Sequence, residues 1–86
     1  MNFDEYQRLA GRTRPQNLPH RDALAMTGLG LGGEAGECAE LVKKHLFHGH
    51  DLDREKVVKE LGDVLWYVAA LAAELNISLD EVAEKN

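Results

Sequence analysis

The sequence predicts an all-α fold, and two patterns carry this prediction. Apolar residues recur at spacings of three and four rather than alternating, which indicates helices and not strands. The β-branched residues that favour strands are few. With 86 residues, the chain is expected to form one domain, residues 1–86. A core of this size is marginal by surface-to-volume scaling, so oligomerisation is also expected.

Two helices are predicted in the first half of the chain. The first is short and covers about residues 3–10, and the prolines of residues 11–19 predict a loop after it. Asp22 is the predicted N-cap of a second, long helix. This helix is expected to end near Phe47, because Gly49 supplies a C-terminal stop.

Two more helices are predicted in the second half. Asp53 is the predicted N-cap of a third helix that continues to about Leu75, where Asn76 is tolerated at the C-terminal end. Ser78 and Glu81 have the spacing of a capping box, which predicts a last helix that the chain barely begins.

The two long helices are expected to form an antiparallel hairpin with a short turn at about residues 48–52. Each carries an apolar stripe that we expect to be buried against the other. The stripe of the third helix consists of Val57, Leu61, Val64, Val68, Leu71 and Leu75. The stripe of the second helix consists of Leu24, Leu31, Ala35, Cys38 and Val42.

Two acidic pairs are the most informative feature of these helices. Glu34 and Glu37 are three residues apart, as are Glu60 and Asp63, so each pair projects from one helix face. On a helical wheel the members of each pair lie about 60° and about 120° from a stripe residue of their helix, in the same rotational sense. Matching flanks face each other in an antiparallel hairpin, so the four carboxylates are expected to converge.

Four converging carboxylates favour a hard divalent cation, because their like charges repel and oxygen ligands suit Mg²⁺, with Mn²⁺ as an alternative. A single acidic pair on a surface helix is more often solvated, but two pairs on matching flanks favour a shared site. A di-iron helical bundle is the main competitor. It uses a Glu-x-x-His motif, however, and no histidine here follows a glutamate by three residues.

Charge and composition narrow the function classes further. The net charge of −5 argues against broad binding to nucleic acid or to anionic membranes. One cysteine forms no internal disulfide, no signal segment opens the chain, and no apolar run approaches transmembrane length. A cytoplasmic protein is therefore predicted.

Trp66 predicts a surface for self-association. It lies about 180° from Val57 on the third helix. Together with Gly62, Ala69 and Ala73 it forms an apolar surface of mostly small residues, the Trp66 face. A helix that is apolar nearly all round is buried on both sides. We expect the Trp66 face to pack against another copy, giving a four-helix bundle in a dimer or a tetramer.

The two acidic segments resemble those of a known family. Gly-Glu-Ala-Gly-Glu-Cys-Ala-Glu-Leu-Val-Lys-Lys-His and Glu-Leu-Gly-Asp-Val-Leu-Trp-Tyr are similar to segments of the short phage and bacterial MazG-like all-α nucleotide pyrophosphohydrolases. The resemblance implies that Glu34, Glu37, Glu60 and Asp63 are Mg²⁺ ligands. It also implies hydrolysis of nucleoside triphosphates to monophosphate and pyrophosphate, which clears unwanted nucleotides.

Roles beyond metal binding are assigned to few residues. Glu37 is the predicted group that orients or deprotonates the attacking water, and Glu34 is able to exchange roles with it. Lys43 is a candidate phosphate contact, although the helix macrodipole alone explains cations near a helix C-terminus. Asn86 is a second candidate substrate-binding residue. The resemblance also implies that a basic segment following the corresponding asparagine helps to hold substrate in related proteins. The alternative function is a non-catalytic helical module that binds nucleotide or metal, or mediates assembly.

Overall fold

The structure, a computed structural model, describes residues 1–86 and contains helices without any strand. The all-α prediction is confirmed. None of the helices has both the length and the apolar character that a membrane span requires. The α-helices are α1 (Phe3–Ala10), α2 (His20–Phe47), α3 (Arg54–Glu74) and α4 (Leu79–Lys85), and a 3₁₀ turn (Gly11–Thr13) follows α1.

The helix ends follow the predicted capping residues with one exception. The side chains of Asp53 and Ser78 accept hydrogen bonds from backbone N–H groups in the first turns of α3 and α4. Gly49 and Asn76 adopt positive φ angles of 72° and 58° just after α2 and α3. The exception is Asp22, which was predicted to cap α2. The helix begins two residues before it, so Asp22 lies in the first turn, where its charge complements the macrodipole.

Helices α2 and α3 form the predicted hairpin, α1 packs against α3, and α4 contacts both α1 and α3. The residues that are most buried in the hairpin are small: Ala23, Thr27, Ala69, Ala70 and Ala72. Small side chains let helix backbones approach closely, and this contact decides which faces meet.

The predicted apolar stripes are therefore only partly buried, and their assignment as the core was wrong in part. Val57, Val64 and Val68 are half-buried. Leu61 is 55% exposed and Leu75 is 46% exposed. The residues of α2 and α3 with the lowest exposed fractions are instead alanines and Thr27.

Trp66 packs inside the chain. It contacts a cluster formed by Ala10, Ala69 and Leu79, and its indole N–H donates a hydrogen bond of 2.8 Å to Thr13 Oγ1. Residues of α1, α4 and the 3₁₀ turn therefore cover part of the Trp66 face. Self-association through this face stays a prediction. Other large apolar side chains are exposed, including Leu29, Val42, Leu46, Phe47, Val58 and Leu61.

Two polar side chains tie distant segments together. The Gln7 amide nitrogen donates to the backbone carbonyls of Ala69 and Ile77, and its amide oxygen accepts from the backbone N–H of Leu79. Glu74, at the end of α3, pairs with Arg14 at 3.0 Å and with His20 at 2.5 Å. These contacts fix the loop before α2 and the turn before α4 against the hairpin.

Replacing Gln7 with methionine, which has a similar size, is expected to lower the free energy of unfolding by about 1–3 kcal/mol, because three partly buried backbone groups lose their partner. Urea unfolding followed by circular dichroism measures this change. Gln16→Met is the matched control, since Gln16 bonds only to nearby carbonyls at the surface. Equal effects of the two substitutions would contradict the role assigned to Gln7.

Candidate metal centre

The hairpin brings three of the four predicted carboxylates together. One carboxylate oxygen from each of Glu34, Glu37 and Glu60 lies within 4.8 Å of the others. Asp63, one turn further along α3, lies beside this group and lines a cavity together with Glu34. We call these four residues the acidic cluster. Their role as metal ligands stays a prediction, but the convergence on which it depends is present.

Gly30 determines how closely α2 approaches α3 beside the acidic cluster. A Cβ atom at Gly30 would overlap three carbon atoms of the Tyr67 ring, Cε1, Cζ and Cδ1. Gly30 lies one turn before Glu34, and Tyr67 lies one turn after Asp63. The absence of a side chain at Gly30 therefore lets the ring pack against the α2 backbone, one turn away from Glu34.

Two oxygen atoms of the acidic cluster are buried without a hydrogen bond. They are Glu34 Oε2 and Glu60 Oε2. A buried carboxylate oxygen without a donor costs free energy, and such atoms in a protein call for an explanation. A divalent cation fits this donor set, since hard cations prefer carboxylate oxygens and their charge offsets the repulsion among the four groups.

The environment of the acidic cluster raises the pKa values of two of its carboxyl groups, those of Glu34 and Glu60. Burial raises the pKa of Glu34, and the charges of Glu37 and Asp63 raise it further. The pKa of Glu60 is raised because its protonated form donates a hydrogen bond to Glu37, and also by burial and by the neighbouring charges. The Cys38 thiol responds in the same way: burial and then the four carboxylates raise its pKa.

These shifts predict how the stability of the metal-free protein depends on pH. Because the folded-state pKa values of Glu34 and Glu60 are raised above the usual carboxyl value, their ionised forms destabilise the fold above those values. The destabilisation is relieved as the pH falls from neutral through the raised pKa values. In EDTA, we therefore expect Tm to rise on mild acidification, measured by differential scanning fluorimetry. The dependence of Tm on pH should be weaker in Glu60→Gln. If Tm varied with pH in the same way in this variant and in the wild type, Glu60 would not be a source of the destabilisation.

The other predicted residues lie outside the acidic cluster. Lys43 is exposed, and its Nζ atom lies 3.7 Å from a carboxylate oxygen of Glu40 one turn earlier. Asn86 follows α4 and lines an apolar cavity with Phe3 and Leu65, to which no member of the acidic cluster contributes. The roles of Lys43 and Asn86 in substrate binding stay predictions.

Three residues that were not predicted to belong to the site line the cavity beside Glu34 and Asp63. They are Thr13, Trp66 and Tyr67. Tyr67 could have been predicted from the sequence, since it follows Asp63 by four residues and so lies on the same helix face. Thr13 could not have been predicted from the sequence, because only the tertiary contact with Trp66 places the 3₁₀ turn against α3.

Comparison with known proteins supports the assignment of a family. A family model described as the MazG nucleotide pyrophosphohydrolase domain matches residues 24–86. The chain belongs to the MazG family. The matched region contains all four carboxylates of the acidic cluster.

A phage relative of this MazG-family chain is the Gene 37 protein of Mycobacterium phage L5, which is 42% identical over 69 residues. The match covers 76% of this chain and 60% of the relative, so the chain spans about three fifths of that protein's length. No solved structure gives a significant match. The description of that family model is of nucleotide pyrophosphohydrolases, which as a family generally use a divalent metal.

Proposed function

We propose that this protein hydrolyses nucleoside triphosphates to monophosphate and pyrophosphate, with Mg²⁺ or Mn²⁺ held by the acidic cluster. The observation that carries the proposal is the convergence of Glu34, Glu37 and Glu60, with two buried oxygens that lack any donor. Family membership supports the reaction class. Clearing unwanted nucleotides in the cytoplasm is the role that we propose for it.

The residues of the acidic cluster have different surroundings and so different tasks. Glu34 and Glu60 are half-buried, which suits ligands held in fixed positions. Glu37 is exposed, so water can reach its carboxylate, and we assign it the role of accepting a proton from the water that attacks the α-phosphorus. Glu34 and Glu60 would help to hold a divalent cation, which would supply positive charge near the phosphate oxygens and make water easier to deprotonate. Without such a cation the cluster would repel a triphosphate.

Product analysis in ¹⁸O-labelled water tests this function. Incubation with a panel of nucleoside triphosphates and Mg²⁺ is expected to release pyrophosphate, with the label in the monophosphate because water attacks the α-phosphorus. Label in the pyrophosphate, or release of orthophosphate and diphosphate, would contradict the proposed reaction. Nucleotide binding without turnover would support the alternative, a non-catalytic binding module.

We also propose that the protein self-associates. Several large apolar side chains of the hairpin are exposed to solvent, among them Val42, Leu46, Val58 and Leu61. Exposed apolar surface of this kind is typical of a protein–protein interface. Burying them in a four-helix bundle would enlarge the small core of the single chain. Sedimentation velocity at several protein concentrations tests this proposal, and a monomer at every concentration would rule it out.

A further inference from the structure

A cavity adjoins the acidic cluster on the side of α1. It has a volume of about 380 Å³ and is lined by Thr13, Glu34, Asp63, Trp66 and Tyr67. This volume falls within the range of about 300–1,000 Å³ that is typical of small-molecule sites. The cavity is therefore lined both by carboxylates and by two aromatic rings.

The two rings form a rigid corner. Their centroids are 4.9 Å apart and their planes are inclined by 85°, which is an edge-to-face arrangement. Thr13 Oγ1 accepts the indole N–H of Trp66 and donates to the carbonyl of Ala10, so the indole is held in place from the 3₁₀ turn. A planar ligand stacked on one ring would meet the edge of the other.

The chemical groups that line the cavity favour the base end of a nucleotide over its phosphate end. No cationic side chain lines the cavity, so a phosphate group finds no direct partner there. A nucleobase is uncharged and planar, and stacking on aromatic rings is its usual mode of recognition in proteins. The aromatic rings therefore suit the base, and the carboxylates suit a phosphate bridged by a cation.

We propose that the cavity bordered by Trp66 and Tyr67 binds the nucleobase of the substrate, and that these two rings determine which bases fit. This inference rests on the proposed function, because attack at the α-phosphorus places the nucleoside directly beside the metal-binding carboxylates. A reaction at the γ-phosphorus would instead place the nucleoside two phosphate groups away.

Trp66 is the only tryptophan of the chain, so its fluorescence reports on this cavity. The full chain is titrated with adenosine, guanosine, cytidine and uridine monophosphates, first in EDTA and then with Mg²⁺. Excitation at the red edge of indole absorption limits absorption by the bases. Ribose 5-phosphate is the control without a base. We expect a saturable change with at least one nucleotide and none with ribose 5-phosphate. Equal responses to both ligands, or no response to any nucleotide, would overturn the inference.

Kinetics of two Trp66 variants supply the second test. Trp66→Leu is expected to raise KM for triphosphates about 5- to 150-fold with little change in kcat, which corresponds to the loss of one base–aromatic stack. Trp66→Phe keeps a ring and is expected to restore most of the affinity. Equal KM values for wild type and both folded variants would overturn the inference. If Trp66→Leu does not fold, as checked by circular dichroism, the wild-type fluorescence titration decides.

The outcomes separate this inference from the function on which it rests. Pyrophosphate release without any base-dependent fluorescence change would leave the hydrolase standing and remove the base site. A base-dependent fluorescence change without any product would keep the site and remove the hydrolase in favour of a nucleotide-binding module.

Discussion

Replacing Glu60 with glutamine is expected to lower hydrolysis by more than about 100-fold, since even partners of metal ligands cost about 10- to 100-fold when removed. The same substitution is expected to raise the Tm of the metal-free protein. It removes one of the converging charges, and Glu60 is a group whose raised pKa shows that its ionised form is disfavoured in the fold. If this one substitution lowers activity and raises stability, the acidic cluster is a cation-binding site.

Mg²⁺ titrations monitored by differential scanning fluorimetry and by pyrophosphate release measure both effects. Mg²⁺ should raise the Tm of wild type by binding the folded state alone, and it should have little effect on Glu60→Gln. Glu40→Gln is the matched control, because Glu40 is an exposed glutamate of α2 that forms a surface ion pair with Lys43 and is not part of the acidic cluster. Wild-type activity in Glu60→Gln, or an equal loss in Glu40→Gln, would contradict the assignment.

Replacing Gly30 with alanine is expected to lower the free energy of unfolding by about 1–3 kcal/mol, the usual cost of overpacking. For a domain of this size, each kcal/mol corresponds to a Tm change of about 4–8 °C. The new methyl group would overlap the Tyr67 ring, so either the ring moves or the hairpin opens beside Glu34 and Asp63. Both adjustments would also lower activity.

Gly32→Ala is the matched control for this substitution. Gly32 lies in the same helix, and a Cβ there would meet nothing within 4 Å. The control should therefore stabilise the protein by about 0.5–1 kcal/mol, the usual gain for alanine over glycine inside a helix. In a Tyr67→Ala background the penalty of Gly30→Ala should disappear. A stabilising effect of Gly30→Ala in the wild-type background would show that the ring contact does not limit the hairpin.

The helices and their capping residues were largely predictable because they depend on local interactions. Asp53 and Ser78 cap helices through hydrogen bonds that span two or three residues, and these spacings are visible in the chain. Asp22 shows the limit of such reasoning. A suitable cap residue was present, but the helix begins two residues earlier, with Pro19 at the N-cap position and no side-chain cap hydrogen bond.

The convergence of the carboxylates was predictable because periodicity and chain reversal together determine it. Glu34, Glu37, Glu60 and Asp63 needed only helical spacing and an antiparallel turn to come near each other. The faces on which the chain packs were less predictable. Bulky residues such as Leu61 were expected in the core, but the least exposed residues of α3 are alanines. Trp66 packs against residues of α1 and α4.

The sequence by itself determined the helices, the antiparallel hairpin and the two acidic pairs, since all three follow from interactions between residues near in sequence or from simple periodicity. Only the tertiary structure decided that Gly30 receives the Tyr67 ring, and that Thr13 and Trp66 border a cavity beside Glu34 and Asp63. These contacts join residues far apart in the chain. They depend on how closely two helices approach each other. That distance is determined by the volumes of the side chains between the helices, and the spacing of residues along the chain does not reveal it.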